Sequence, residues 1–366
     1  MTPIIDMHCD TISELYKLRY NDAALPEGGF EGADKPEASA DAGVKAAGKG
    51  SSLRSSRLMI DLQRMKDAGY MCQSFALFLH LGRLSKEGKS PFAYALELSD
   101  LFDEEMEKNR DLIRPVITGT EIEVNFSRGL MSALKTIEEG GAYEGSIEKL
   151  EELYKRGVRK STLTWNFENE LAFPNRSVFN KEKGTCGCTG LDTENGLKKK
   201  GFEFVEAMES MGMLIDISHL NDAGIWDVFK TVRKSTPVIA SHSNARACCM
   251  HPRNLSDEMM REIAGHGGLF GLNFCPSFLS KVQMDGREES RIRDMIVQLK
   301  YMRDVAGIDF IGLGSDFDGI EGELELSGAQ DMQKLADAMS LSGFSDEEIE
   351  KVFYKNALRV YKEVLG

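Results

Sequence analysis

Leu214-Ile215-Asp216-Ile217-Ser218-His219 and Pro237-Val238-Ile239-Ala240-Ser241-His242 are two short apolar runs, each closing on Ser-His, with a segment of helical period between them at about 222–233. Runs of this length, rich in Ile, Val and Leu, read as strands buried on both faces. Two of them joined by one helix make a parallel βαβ unit.

The same alternation extends in both directions. Candidate strands fall at about 3–8, 71–79, 133–139, 158–164, 212–217, 236–241, 267–273 and 308–315. Segments near 58–68, 92–109, 145–156, 198–210, 222–233, 256–264, 289–305 and 328–341 carry apolar residues at three and four spacing, which predicts helices. The count predicts an α/β fold, a (β/α)8 TIM-like barrel, as one domain over residues 1–366. Two late helices near 346–353 and 355–364, the first opened by the Ser345 to Glu348 capping pattern, are expected on the outside. Residues 21–56 and 166–194 lack a sustained period and are expected to be loop insertions after the first and fourth strands, on the face where strands end.

Composition narrows the function. Of 366 residues, 42% are hydrophobic and 28% charged, the make-up of an ordinary globular protein. A net charge of −14 repels a polyphosphate backbone and argues against nucleic acid as a partner. The run Lys198-Lys199-Lys200 at a helix start reads as a solvated face. No apolar stretch is long enough for a bilayer, so no membrane partner is expected, and Pro3-Ile4-Ile5-Asp6 leaves no room for a signal peptide before the first strand. Seven scattered cysteines do not form a disulfide framework, and Cys186 and Cys188 have no second pair to complete a zinc site. A cytoplasmic protein is expected, and a homodimer is the assembly compatible with this reading.

In a barrel of this kind the loops at the strand C-termini converge on one mouth. His8 and Asp10 end the first strand two residues apart, on the same side by strand alternation. His219 and His242 end the fifth and sixth strands. Imidazole with carboxylate is a ligand set that suits zinc. Any one of these histidines alone reads as a structural residue. The chain has six, and three at strand ends form a pattern. His80, His251 and His266 have no carboxylate at ligand spacing and keep the structural reading. Ile137-Glu138-Glu139-Gly140-Gly141 supplies a carboxylate at the end of the third strand, of which only one can face inward; Glu139, beside the glycines, is the expected ligand and Glu138 the alternative. Asp316, nearest the eighth strand, is the expected proton acceptor, with Asp318 read as a turn residue before Gly319.

His8-Cys9-Asp10, Glu139-Gly140-Gly141, Leu163-Thr164, Ile215-Asp216-Ile217-Ser218-His219, Ser241-His242-Ser243, Arg253-Asn254 and Gly314-Ser315-Asp316-Phe317-Asp318-Gly319, in this order, resemble the membrane (renal) dipeptidase family almost end to end. The resemblance implies that the barrel is of the metal-dependent hydrolase type and that the protein is a zinc metallodipeptidase with two Zn²⁺ per chain and small dipeptides as substrates. It implies that His8 and Asp10 hold one ion and His219 and His242 the other, with Glu139 bridging. It further implies that Asp316 handles the proton of the attacking water, that Arg253 binds the substrate carboxylate, and that a C-terminal D-residue is tolerated.

One departure bears on substrate binding. Many family members carry Leu-Thr-His after the fourth strand, where this chain reads Leu163-Thr164-Trp165-Asn166. Trp165 offers one indole donor and no base, so the contact near the substrate carbonyl falls to Trp165, to Asn166 or to neither. Two other readings compete. A phosphotriesterase-like or lactonase enzyme would share strand-end ligands but commonly bridges its metals with a carboxylated lysine on the fourth strand, where this chain has only Lys160, early in the strand. A metal-binding homologue without turnover is suggested only by Trp165.

Overall fold

A computed structural model describes residues 1–20, 52–180, 185–279 and 289–366. Eight parallel strands form the barrel: β1 (Ile4–Cys9), β2 (Tyr70–Phe78), β3 (Met131–Glu138), β4 (Val158–Thr162), β5 (Leu214–Asp216), β6 (Val238–Ala240), β7 (Leu269–Leu272) and β8 (Ile311–Leu313). Each pairs with its sequence neighbour, and β1 pairs with β8, Asp6 opposite Leu313, which closes the sheet. Each coincides with a run read from the sequence, as closure by short branched apolar strands requires.

Inside the barrel, Ile5, Met7, Leu134, Leu214, Ile239 and Leu269 form an apolar layer near the strand N-termini. The final helix, Asn356–Leu365, brings Leu358, Val360 and Tyr361 into this layer, with Tyr361 Oη 2.8 Å from Ser74 Oγ. It therefore plugs the lower mouth instead of packing outside. Its apolar stripe is the reason, since the open lower end offers an apolar surface to cover. It continues from the Asp346–Glu350 helix through a π-helical turn, Lys351–Lys355, so the two expected helices are one continuous helical segment. Ser345 and Glu348 form the expected capping box.

Among the described residues, four helices escape the periodicity reading: Thr11–Tyr20, Leu81–Glu87, Gly119–Ser127 and the short Pro276–Leu279. A short strand, Ile113–Pro115, adds to the start of β3. The expected loop at 166–194 contains an antiparallel hairpin, Arg176–Asn180 with Thr185–Gly190, built from residues that alternate too briefly to register as strands. Of the loop expected at 21–56, residues 21–51 lie outside the described residues. Leu53 beyond them is buried, its N–H donating to Glu105 Oε2 at 2.6 Å. No described helix is long and apolar enough to cross a membrane.

Candidate metal centre

The upper mouth gathers buried ligand-type side chains. β1 carries an irregularity between Asp6 and Cys9, where three residues advance against two on β2. That extra residue shifts the phase of the strand, so that after inward-facing Ile5 and Met7 the next residues to reach the mouth are His8 and Asp10. Asp10 also begins the Thr11–Tyr20 helix, its carbonyl accepting from Ser13 and Glu14 N–H. His219 lies three residues past β5 at φ 71° and Asp316 three past β8 at φ 63°. Left-handed backbone at non-glycine residues is costly and persists where the surroundings impose it. Here it turns both side chains back over the barrel.

Three groups of ligand atoms result: His8, Asp10 and Glu138; Glu138, His219 and His242; and His8, His242 and Asp316. Glu138 stands between the first two. Its Oε2 is 3.4 Å from His8 Nε2, and its Oε1 is 2.8 Å from His219 Nε2 and 3.5 Å from His242 Nε2. His8 Nε2 is 3.9 Å from Asp10 Oδ2 and 3.6 Å from Asp316 Oδ1. His219 and His242 bring their Nε2 atoms to 2.9 Å. A Cβ on Gly319 would sit 2.1 Å from Asp10 Oδ2, so the glycine is what admits that carboxylate.

Glu139, expected as the inward carboxylate, is elsewhere. At φ 95° it turns back to accept from Gly141 N at 2.8 Å, Trp165 N at 3.0 Å and the Asn169 amide, which fastens the loop after β4 to the end of β3. Strand parity decides between the neighbours. Lys135 points out of the barrel to Ser99 and Asp103, so 134, 136 and 138 face in.

Burial sets the electrostatics. It pushes Asp10 to about 6, with the Glu138 charge adding to the effect, and Asp316 to about 7. For His8, burial opposes the charge but the facing Glu138 and Asp10 outweigh it and raise its pKa well above the ordinary value. Burial holds His219 and His242 well below theirs, with Arg253 and His8 adding to it, which leaves neutral imidazoles, the form a cation binds. A metal fits this donor set on the structure's own terms. His8 Nε2, which faces the cluster, and Asp10 Oδ1 and Glu138 Oε2 are buried with no hydrogen-bond partner, one ring nitrogen and two carboxylate oxygens that a bound cation would engage once the imidazole is neutral.

The surroundings are tied to these groups. Ser241 Oγ lies 2.7 Å from His242 Nδ1, Asn166 Oδ1 3.4 Å from His219 Nδ1, and Asn273 Nδ2 donates to Asp316 Oδ2 at 2.9 Å. Asn166 thus meets a histidine of the cluster. A cavity of about 290 Å³ opens over the cluster, lined by Asp10, Glu138, His219, Asp316 and Trp165 among others. Trp165 is half-buried, its ring 4.9 Å from Phe78, 5.3 Å from His80 and 6.1 Å from His219 between centroids. Arg253 is buried behind the cluster, Nη2 3.4 Å from His242 O, with its guanidinium 5.6 Å from the Phe278 ring that lines the cavity. Asp318, at φ 67°, accepts from Thr11 Oγ1 and Met59 N, each at 2.6 Å, a bracing role consistent with a turn residue. His251 and His266 make structural contacts, to Arg253 N and Thr236 O, whereas His80 also reaches the cavity wall. Lys160 Nζ is committed to Met7 O at 2.5 Å and lies 3.4 Å from Asp216 Oδ2, below the cluster, so it cannot serve as a carboxylated bridge.

Sequence reasoning did not single out Asn273, Asn169 or Asp6. Small amides in loops carry no periodic signal, and Asp6 sits inside an otherwise apolar strand.

Comparisons with known proteins identify the family and the fold. The family model described as membrane dipeptidase, peptidase family M19, matches residues 1–365. A Klebsiella pneumoniae protein from the pqqA 5′ region, itself uncharacterized, is 31% identical over 254 residues, 69% of this chain and 89% of that protein. An uncharacterized dipeptidase of Schizosaccharomyces pombe is 32% identical over 223 residues, 60% of this chain and 49% of the yeast protein. Two solved structures share the fold over 100% of this chain and 99% of theirs, each with a TM-score of 0.77: the metallopeptidase dipeptidase AC at 23% identity, and a Rhodobacter sphaeroides metallopeptidase at 22%, the latter liganded with a phosphinate mimic of L-Ala-D-Ala. The chain belongs to the membrane dipeptidase family, peptidase family M19, a family of metal-dependent dipeptidases.

Proposed function

We propose that the protein is a two-zinc dipeptidase. The observation that carries this reading is the position of Glu138, whose two oxygens face two separate ligand groups, His8 with Asp10 and His219 with His242. One carboxylate shared by two such groups is the arrangement a binuclear site needs, and the nitrogen and oxygen donors suit zinc. Bound there, the ions would supply Lewis-acid polarisation of the scissile carbonyl and a water acidified towards neutrality.

The chain's own groups do the rest. Asp316, oriented by Asn273 through Oδ2, keeps Oδ1 towards the cluster to take the proton of the attacking water and pass it to the leaving amine. Arg253 offers a planar cation to the substrate's terminal carboxylate and so measures where the substrate ends. Trp165 supplies an aromatic wall and one indole donor beside His219. A pocket of about 290 Å³ over the cluster is small, in keeping with a substrate of two residues. Tolerance of a C-terminal D-residue is part of the proposal, supported by the L-Ala-D-Ala mimic held by the Rhodobacter relative.

The deciding experiment combines metal analysis after zinc reconstitution with hydrolysis of Gly-containing L,L- and L,D-dipeptides. Two zinc ions per chain and cleavage of both series are expected. One ion or fewer would overturn the binuclear centre. Two ions without dipeptide cleavage would return the site to the phosphotriesterase-like, lactonase or non-catalytic readings, of which the first is already disfavoured by the commitment of Lys160.

A further inference from the structure

One step below the ligands stand three fully buried charges that the dipeptidase reading does not use: Asp6, Asp216 and Lys160. Asp6 lies under the β1 and β8 side. Its Oδ1 accepts from Ser315 N at 2.9 Å and His8 N at 3.3 Å, and its Oδ2 from Ser315 Oγ at 2.6 Å. Asp216 does the same under the β5 and β6 side, its Oδ1 accepting from Ser218 N and Ser241 N, each at 3.0 Å. Each carboxylate therefore binds N–H groups at, or directly before, a candidate ligand on each of two adjacent strands: His8 and Asp316 in one case, His219 and His242 in the other. Ser218 Oγ accepting from His242 N at 3.3 Å adds a further tie. Lys160 spans the gap between the two sides, its Nζ donating to Met7 O, directly before His8, and lying 3.4 Å from Asp216 Oδ2.

We propose that Asp6, Asp216 and Lys160 are positioning residues that set the two halves of the metal centre at a fixed separation. A carboxylate is acceptor-only and can gather two or three N–H groups at once. An apolar residue in either place would leave those donors buried and unpaired. The Lys160 ammonium balances the negative charge of Asp216 and couples it to β1, so a shift of one half is transmitted to the other. Outer groups of this kind orient ligands and tune metal affinity. The inference rests on the metal-binding part of the reading above and not on the choice of substrate.

The test reads metal directly. Stepwise zinc affinity is measured by chelator competition on Asp216→Asn, Lys160→Met and Ser315→Ala, together with the electron paramagnetic resonance coupling between two cobalt ions in the cobalt-loaded protein. Asp216→Asn keeps an oxygen for the Ser218 and Ser241 N–H groups but loses the charge facing Lys160. Ser315→Ala removes a single hydroxyl from Asp6 and is the mild variant should the others fail to fold. Each is expected to weaken at least one zinc by about 10–100-fold and to alter the cobalt coupling, with Ser315→Ala at the low end. Variants that lose thermal stability yet bind both ions with unaltered affinity and coupling would show a merely structural role and overturn the inference. A wild-type chain that binds two ions but does not cleave dipeptides would leave it standing and sink the substrate reading alone. A wild-type chain that binds fewer than two ions would overturn both.

Discussion

Glu138 and Glu139 are consecutive, yet Oε1 of Glu138 lies 2.8 Å from His219 Nε2 while the carboxylate of Glu139 folds back onto Gly141 N and Trp165 N. In the proposed reading the two residues separate metal binding from loop bracing, and their conservative variants are expected to fail in different assays. Glu138→Gln should lose zinc, since an amide neither neutralises nor bridges two cations. Glu139→Gln should keep zinc but lose about 1–3 kcal/mol of stability, because its amide nitrogen must face a donor among Gly141 N, Trp165 N and Asn169 Nδ2. Metal analysis and thermal melts on the two variants check this, and zinc loss by Glu139→Gln with retention by Glu138→Gln would reverse the assignment.

Asp316→Asn should retain metal and lose about 10²–10⁴ in kcat. Asparagine tolerates the left-handed φ of 63° and can still accept from Asn273 Nδ2, so shape is conserved while the capacity to take a proton is not. A zinc-replete Asp316→Asn enzyme with near wild-type kcat would move the role elsewhere, with Asp318 the nearest carboxylate on the same loop.

What was legible in the sequence follows from which physical signals are local. The eight barrel strands could be read because short apolar runs between helical segments have few other solutions, and His219 and His242 because each terminates one of them. The choice of Glu139 rested on adjacent glycines. The parity that favours Glu138 depends on Lys135 leaving the barrel for Asp103, a partner 32 residues away that no local pattern announces. The irregularity in β1 that delivers His8 and Asp10 together is likewise a property of pairing with β2, visible only once both strands are in register. The final helix had the amphipathic period of a surface helix, and only the closed barrel shows that the surface it covers is the lower mouth.

Metal binding should strengthen with pH through the range set by the buried acids. In the metal-free protein burial pushes Asp10 to about 6 and Asp316 to about 7, both above the ordinary carboxyl value of 3.8. A raised folded-state pKa contributes stability below the unfolded value and loses it as pH rises through the folded one. The metal-free protein therefore loses stability from about pH 4 to about pH 7 as these acids ionise beside one another. A bound cation favours the ionised forms and stabilises the folded state by mass action. The difference in Tm between zinc-loaded and chelator-treated protein should widen from about pH 5 to about pH 8. A difference that narrows over that range would mean that Asp10 and Asp316 do not ionise against the metal.

Length selectivity should follow from Arg253. Its guanidinium is buried, held within 3.4 Å of His242 O and 3.5 Å of Ser243 Oγ, and stacked over the Phe278 ring, so the cation is fixed relative to His242 and cannot adapt to substrates of different length. A fixed cation beside a carbonyl that the proposed metal centre would polarise would accept one spacing between scissile bond and terminal carboxylate. Dipeptides are therefore expected to be cleaved and tripeptides not. Arg253→Ala should raise KM for dipeptides by an amount on the order of the 1.5–3 kcal/mol assigned to hydrogen bonds with charged groups. A C-terminally amidated dipeptide should already be a poor substrate of the unmutated enzyme, because it lacks the charge that the guanidinium fork is proposed to receive in two parallel hydrogen bonds. The discriminating quantity is the ratio of kcat/KM for free and amidated substrate, which should be large in the wild type and collapse in Arg253→Ala. A ratio near one in the wild type, or one unaltered by the substitution, would show that Arg253 serves only to hold His242 and Phe278 in place, and the dipeptide reading would then rest on the metal ligands alone.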